Sequence, residues 1–317
     1  MEKVPLGHTG EMVSQLCLGA MHLGSRTDEK NSYAVLADYV EAGGSFIDTA
    51  NMYFHLFPGC VGGESETLIG RWMKERGDRK DIFIASKVGF EYPGTASSSG
   101  AIRGVSPSQI AEECNKTLKR LQVETLDLYY AHYDDRRTPM EDVLEAMNKL
   151  VEVGKVRYVG ASNHLAWRLM EAKCLCRTHG WAEYCCVQQR YTYIRKKPGT
   201  NFDPQIVVND DLLDFCRVTG TTLLAYSPFI KGAYVRNVFP EQYLGPDTDK
   251  RLAALGKVAH ERSATLHQII LAWMMHSDPV CIPLVAASTS AQMQENLGAL
   301  DIQLAQSEMK CLTESRA

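Results

Sequence analysis

Short apolar runs alternate with longer amphipathic stretches along almost the whole chain. Runs rich in β-branched and apolar residues predict strands at 45–48, 82–87, 126–132, 156–160, 185–188, 222–226 and 280–283, and a shorter run at 16–18 adds an eighth. Between them, apolar residues recur at helical spacing over 32–42, 66–76, 107–121, 140–153 and 210–218. In 140–153 the apolar positions are Val143, Leu144, Met147, Leu150 and Val151, with Glu141, Asp142, Glu145 and Lys149 between them. The punctuation agrees: Ser106-Pro107 and Thr138-Pro139 place a cap residue before a proline at a helix start. Gly43-Gly44, Gly77, Gly154 and Gly220 stand where helices should stop.

Strand–helix alternation of this kind calls for a parallel sheet with helices covering it. Eight units of about 40 residues match an α/β fold of the (β/α)8 TIM barrel type, and no linker splits residues 1–317 into more than one domain. Residues 5–10, Pro-Leu-Gly-His-Thr-Gly, read as the turn of an N-terminal β-hairpin closing the barrel base. Two stretches, 92–104 and 231–248, read as long loops after the third and seventh strands, on the face where a barrel's chemistry sits.

Composition narrows the function classes. Hydrophobic residues make up 45% and charged residues 23%, and the formal net charge is −4 without a basic block or acidic tail. Nucleic acid and anionic membrane surfaces are therefore not expected partners. Residues 1–10 lack the apolar core of a signal peptide, and no stretch reaches the roughly 18 to 20 apolar residues of a membrane helix, so a cytoplasmic location is expected. The 10 cysteines fit that compartment as buried reduced thiols, with Cys17, Cys114 and Cys216 in apolar settings. Neither Cys174-Leu-Cys176 nor Cys185-Cys186 has the spacing of a zinc pair, and no metal site is expected.

Three titratable residues fall at or near predicted strand ends: Asp48 in FIDTA, Lys87 in IASK and His132 in YYAH. Tyr53 follows Asp48 by five residues. Parallel barrel strands converge at their C-terminal ends, which would make neighbours of all four. The grouping suits carbonyl reduction by hydride transfer, because the alkoxide formed needs a proton. A phenol of ordinary pKa about 10 needs its anion stabilised, and Lys87 is expected to do this by lowering the phenol's pKa. Asp48 would hold Lys87 charged, and His132 would hydrogen-bond the carbonyl oxygen.

The chain resembles the aldo-keto reductase superfamily almost end to end. The resemblance rests on FIDTANMY (46–53), GGESETLIGRWM (62–73), IFIASKVG (82–89), LDLYYAHYDD (126–135), GKVRYVGASN (154–163), CVQQRY (186–191), LAYSPF (224–229) and QENLGAL (294–300). It implies that Asp48, Tyr53, Lys87 and His132 form a catalytic tetrad and that NADP binds in extended form without a glycine-rich loop. Ser162, Asn163 and Gln188 match positions that hold the nicotinamide carboxamide, and Tyr226 matches the aromatic stacked on its ring. Ser227, Phe229, Lys231 and Gly232 match the segment over the pyrophosphate, and Glu295 with Asn296 match the adenine contacts.

One segment departs from the pattern. Residues 282–296 contain no Arg or Lys, Ala286 stands where glycine is common, and Gln292 stands where arginine is common. Ser288, Thr289 and Gln292 are left to meet an adenosine 2′-phosphate, so NAD is an alternative to NADP. Phe54, Phe57, Tyr92, Tyr133 and Cys60 are candidates for the substrate pocket, and Tyr234, Phe239 and Tyr243 for a lid. A small aldehyde, ketone or sugar suits such a site. Two other readings stay open: a sugar or polyol dehydrogenase working in the oxidative direction, and a cofactor-binding regulatory subunit of the same fold. The sequence is silent on oligomeric state.

Overall fold

Eight parallel strands close into a barrel, and their order around it is their order in the chain. The computed structural model describes residues 1–53, 58–77, 79–90 and 104–315. A two-stranded antiparallel hairpin, β1 (Lys3–Pro5) and β2 (Met12–Ser14), precedes the barrel. The barrel strands are β3 (Cys17–Gly19), β4 (Phe46–Asp48), β5 (Phe83–Val88), β6 (Leu126–Ala131), β7 (Val156–Ser162), β8 (Tyr184–Arg190), β9 (Thr222–Tyr226) and β10 (Cys281–Val285). β10 pairs with both β9 and β3, which closes the sheet and removes its edges. The expected (β/α)8 barrel with its N-terminal hairpin is the architecture found.

Helices α1 (Glu29–Glu41), α2 (Glu64–Arg76), α3 (Pro107–Leu121), α4 (Met140–Glu152), α5 (Ala166–His179) and α6 (Asp210–Thr219) each follow one strand. Between β9 and β10 stand α7 (Ala233–Arg236), α8 (Thr248–Glu261) and α9 (Leu266–Met275), and α10 (Ser290–Leu297) and α11 (Gln306–Glu314) end the described chain. α10 packs on α1 and completes the outer ring, while α8 lies against α9 and α11. The stretch 231–248 is thus more structured than a loop: it holds α7 and a 3-10 turn (Glu241–Tyr243) and ends in the first residue of α8.

Local sequence explains the boundaries. Ser106 and Gln109 form a reciprocal capping box at the start of α3. Thr138 does not cap α4; Pro139 holds the cap position, and the Thr138 hydroxyl donates instead to Asp135 Oδ2 at 3.0 Å. β7 runs through Gly160, where the pattern places its end. A Cβ there would lie 2.8 Å from Cδ1 of Tyr130 on the neighbouring strand, so this glycine makes room for a ring inside the barrel.

The barrel interior and the helix–sheet layer form two apolar cores. Leu6 and Val13 of the hairpin join Phe46, Leu128, Tyr130, Leu224 and Ile282 in the inner one, so the hairpin plugs the barrel base. Gly7 makes that close approach possible: its φ is +53°, and a side chain would run into the Cys185 carbonyl oxygen. Its N–H donates to Thr222 Oγ1 at 2.7 Å. All ten cysteines are free, and Cys17, Cys114 and Cys216 are buried as expected, whereas Cys174 is exposed. Among the described residues no helix is long and apolar enough to cross a membrane.

Candidate active site

The C-terminal strand ends bring together residues far apart in sequence. Asp48 is the last residue of β4, Lys87 the penultimate residue of β5, and His132 follows β6 directly. Lys87 is fully buried, which a lysine tolerates only when its charge and protons are satisfied. Its Nζ donates to a carboxylate oxygen of Asp48, to the Thr49 carbonyl at 2.7 Å and to the Tyr53 hydroxyl at 2.8 Å, so its three N–H groups have three partners. The other Asp48 oxygen accepts from Gln188 Nε2 at 2.9 Å. The ammonium also lies 5.2 Å from the ring centre of Tyr53 and 5.6 Å from that of Tyr130, within cation–π range.

This geometry sets the proton equilibria. Burial pulls the Lys87 ammonium down, but the Asp48 carboxylate and the Tyr53 hydroxyl outweigh it and hold the pKa above its usual value. Burial likewise raises the Asp48 carboxyl, opposed by Lys87 and by the Gln188 hydrogen bond. The Tyr53 phenol is pushed up to about 12, because burial exceeds the downward pull of Lys87. That corrects the expectation of a lowered pKa: the lysine offsets part of the burial effect without reversing it. Burial, then the Lys87 cation, drive the His132 imidazole well below its ordinary value, so it is neutral at pH 7.

His132 stands edge-on to Tyr53, with ring centres 6.1 Å apart. Phe90 packs against the same ring in a T-shaped contact, with ring centres 4.7 Å apart. The His132 Nδ1 is buried without a hydrogen-bond partner among the described residues.

The positions matched to the nicotinamide form a chain of contacts beside this group. Asn163, in a left-handed conformation at φ +56°, donates from Nδ2 to the His132 carbonyl at 3.0 Å and to Ser162 Oγ at 3.1 Å. Its Oδ1 accepts from the Tyr226 hydroxyl at 2.7 Å and from Ile206 N–H at 3.1 Å. Ser162 Oγ donates to the Gln188 carbonyl at 2.9 Å. Ser162, Asn163, Gln188 and Tyr226 therefore converge on Asp48 and His132, with the Asn163 amide committed to protein partners.

The segment after β9 is held in a rarely occupied backbone. Ser227, Ile230 and Lys231 have φ of +59°, +48° and +54°, and Gly232 has +80°. Positive φ at a β-branched residue such as Ile230 is a clear outlier, and such strain gathers at functional loops. Lys231 and Arg236 are exposed, and neither has a carboxylate partner among the described residues. Arg236 folds back over the turn, its Nη1 lying 3.7 Å from where a Gly232 Cβ would be.

The last group lies between α9 and α10. Ser288 N–H donates to Gln292 Oε1 at 2.8 Å, and Asn296 Nδ2 reaches the Ala286 carbonyl at 3.5 Å. Phe229 and Glu295 are bridged by His267, which stacks on the Phe229 ring at 3.9 Å and brings Nδ1 to 3.9 Å from a Glu295 oxygen. His267 escapes a sequence reading because it is a lone histidine in the first turn of an apolar helix.

Of the proposed pocket residues, Phe54, Phe57 and Tyr92 lie outside the described residues. Tyr133 is buried against Phe90 at 5.3 Å, and Cys60 is half-buried. Tyr234 and Tyr243 are buried anchors: the Tyr234 hydroxyl accepts from Ile194 N–H at 3.0 Å, and the Tyr243 hydroxyl accepts from Arg190 Nε at 2.7 Å. They pin the segment after β9 to the end of β8 and the segment that follows it.

A closed barrel with Asp48, Tyr53, Lys87 and His132 at one face places the chain in a known family: residues 15–317 match the model of the aldo/keto reductase family, and the chain belongs to it. Among its relatives, aldo-keto reductase str7 of Strobilurus tenacellus is 31% identical over 94% of this chain and 87% of its own. Aldo-keto reductase yakc [NADP(+)] of Schizosaccharomyces pombe (strain 972) is 29% identical over 94% of this chain and 86% of its own. A crystal structure of the thermostable aldo-keto reductase Tm1743 with the inhibitor epalrestat superposes with a TM-score of 0.76, at 30% identity and 98% coverage of both chains.

Proposed function

We propose that this protein reduces an aldehyde, ketone or sugar carbonyl to the alcohol with NADPH, and that Tyr53 is the proton donor. The observation that carries this reading is the fully buried Lys87 ammonium, hydrogen-bonded to both Asp48 and the Tyr53 hydroxyl. Such an arrangement has no structural necessity, since an apolar residue would fill the same space at lower desolvation cost.

When bound, the dihydronicotinamide supplies a hydride to the carbonyl carbon. The remaining work falls to the protein. With its pKa at about 12, the Tyr53 phenol keeps its proton at neutral pH and can give it to the carbonyl oxygen as negative charge develops there. Lys87 stabilises the phenolate left behind, Asp48 keeps that ammonium charged and aimed, and solvent returns the proton. His132 is neutral, and its buried Nδ1 has no acceptor among the described residues, which favours the proton on Nε2. An Nε2–H donor facing Tyr53 would fix the carbonyl oxygen between the two groups.

The residues present fit a dinucleotide. Tyr226 would offer its ring to the nicotinamide, and Ser162, Asn163 and Gln188, hydrogen-bonded to protein groups, would build the wall beside it. The strained turn Ser227–Gly232, including Phe229, offers backbone that can approach a pyrophosphate, and Gly232 lies between two exposed cations, Lys231 and Arg236, that have no carboxylate partner among the described residues. Ser288, Gln292, Glu295 and Asn296 would meet the adenosine. NADPH is preferred over NADH because the fission-yeast relative is named for NADP(+), while the two cations would serve the pyrophosphate common to both. Fluorescence titration with NADPH and NADH, followed by turnover of 4-nitrobenzaldehyde, tests the reading. Tighter NADPH binding and steady consumption are expected; binding of neither cofactor, or tight retention without turnover, would overturn it.

A further inference from the structure

Residues 49–53, which end in Tyr53, have no regular secondary structure, yet they bring the phenol to 2.8 Å from Lys87 Nζ. The first of them are tied at the backbone: Thr49 N–H donates to the Ala85 carbonyl at 2.9 Å, and Asn51 N–H reaches the Lys87 carbonyl at 3.4 Å. Thr49 Oγ1 donates to Ser65 Oγ at 2.8 Å, and Ser65 Oγ donates to the Ala20 carbonyl at 2.7 Å.

Beyond them a side chain takes over. Asn51, only 1% exposed, donates from Nδ2 to Glu113 Oε2 of α3 at 2.8 Å and to the Phe90 carbonyl at 3.1 Å. One amide thus joins the Tyr53 loop, the residue whose ring packs on His132, and a helix outside the barrel. Glu113 is fixed in turn, with Lys116 Nζ at 2.6 Å and Arg120 Nη2 at 3.9 Å. Arg120 also pairs with the fully buried Glu66 at 2.5 Å, and Glu66 accepts from Ser86 Oγ, beside Lys87 on β5. Glu113 is largely buried, so holding its charge there costs desolvation that packing alone does not explain.

We infer that Asn51 and Glu113 are positioning residues for the proposed reaction, with the Asn51 amide setting the proton donor and the His132 wall in register. Neither touches the reacting atoms; they act through Tyr53 and Phe90. Loss of the tie frees the loop beyond Thr49, and displacement by about 1 Å at a reacting group can lower a rate about 100-fold.

The inference rests on the carbonyl-reductase reading, so its test has one arm that needs no turnover. Hydrogen–deuterium exchange of apo wild type, Asn51→Ala, Glu113→Ala and Glu113→Gln reads the 48–53 and 88–90 peptides directly. Faster exchange in both peptides is expected for the two alanine variants, with Glu113→Gln close to wild type because its amide oxygen still accepts from Asn51. Unchanged exchange in Asn51→Ala overturns the inference whether or not the protein turns over. In the kinetic arm, with 4-nitrobenzaldehyde and NADPH, kcat should fall about 10- to 100-fold in the alanine variants. KM and NADPH Kd should stay within about twofold, and Glu113→Gln should recover most of the rate. Parallel loss of NADPH affinity would reduce Asn51 to a general structural role and overturn the inference. Absence of turnover in wild type would count against the reductase reading alone.

Discussion

The two sides of the strand-end face are built on different principles. Around Lys87 the protein buries charges and satisfies them: Lys87 with Asp48, Glu66 with the half-buried Arg120, and Glu113 with Lys116 and the Asn51 amide. Around the turn after β9 the cations Lys231 and Arg236 are exposed without carboxylate partners among the described residues, and the backbone itself is strained at Ser227, Ile230 and Lys231. The first side pairs its charges within the protein and suits a proton relay whose members must not move. The second, with two exposed cations, is complementary to something anionic. One side is preorganised by side chains, the other by main chain and unspent charge.

Breaking the buried side should have the largest effect. Lys87→Met leaves the Asp48 carboxylate buried without a counter-charge, so we expect a loss of about 3–5 kcal/mol in chemical denaturation. The proposed reduction should fall below detection. Adding Asp48→Leu should recover much of the stability and none of the turnover, which separates the two roles of the pair. Full turnover in Lys87→Met would remove the ammonium from the mechanism.

The exposed side should respond more gently. Replacing Lys231 and Arg236 by alanine is expected to raise the NADPH Kd about tenfold at low salt, and less at high salt where exposed charges are screened. Thermal stability should hardly change, as for most surface substitutions. An unchanged Kd would mean that these cations face no phosphate. Ser288→Arg addresses the neutral adenosine segment: a charge-assisted donor there should shift the affinity ratio toward NADPH by about five- to tenfold. No shift would place the 2′-phosphate elsewhere.

The smallest expected effect is on stability against pH. His132 and His164 are held neutral by burial, with folded pKa values below the unfolded value of about 6.5. Their unfolded forms therefore bind protons that the folded forms refuse. Their contribution is fully present above about pH 6.5 and declines as pH falls below it. Urea unfolding across that window should show a decline that His164→Gln reduces; the same slope in wild type and variant would exclude His164 from the effect.

How much of this was legible in the chain follows the same division. Asp48, Lys87 and His132 could be grouped because each breaks an apolar strand at its end, and a parallel barrel gathers strand ends. Tyr53 added the chemistry that made the set coherent. The sign of its pKa shift was not legible, because burial of the phenol depends on the surrounding packing. Asn51, Glu113 and Glu66 gave no local signal, since each looks like an ordinary polar residue in a turn or on a helix. Helix α9 hides for the opposite reason: Ile269–Met275 is apolar all round because both its sides are covered. Gly160 looks like a strand terminator until the Tyr130 ring on the neighbouring strand is seen. The strained run at 230–232 is carried by φ angles that an Ile-Lys-Gly sequence does not announce.

The account turns on the Tyr53 hydroxyl as proton donor, and Tyr53→Phe tests it most directly. The variant keeps the ring over Lys87 and loses one oxygen. Turnover of 4-nitrobenzaldehyde and NADPH affinity should be measured on the same preparation. The account predicts a fall in kcat of at least about 100-fold with the NADPH Kd within about twofold of wild type. Undiminished turnover would contradict it.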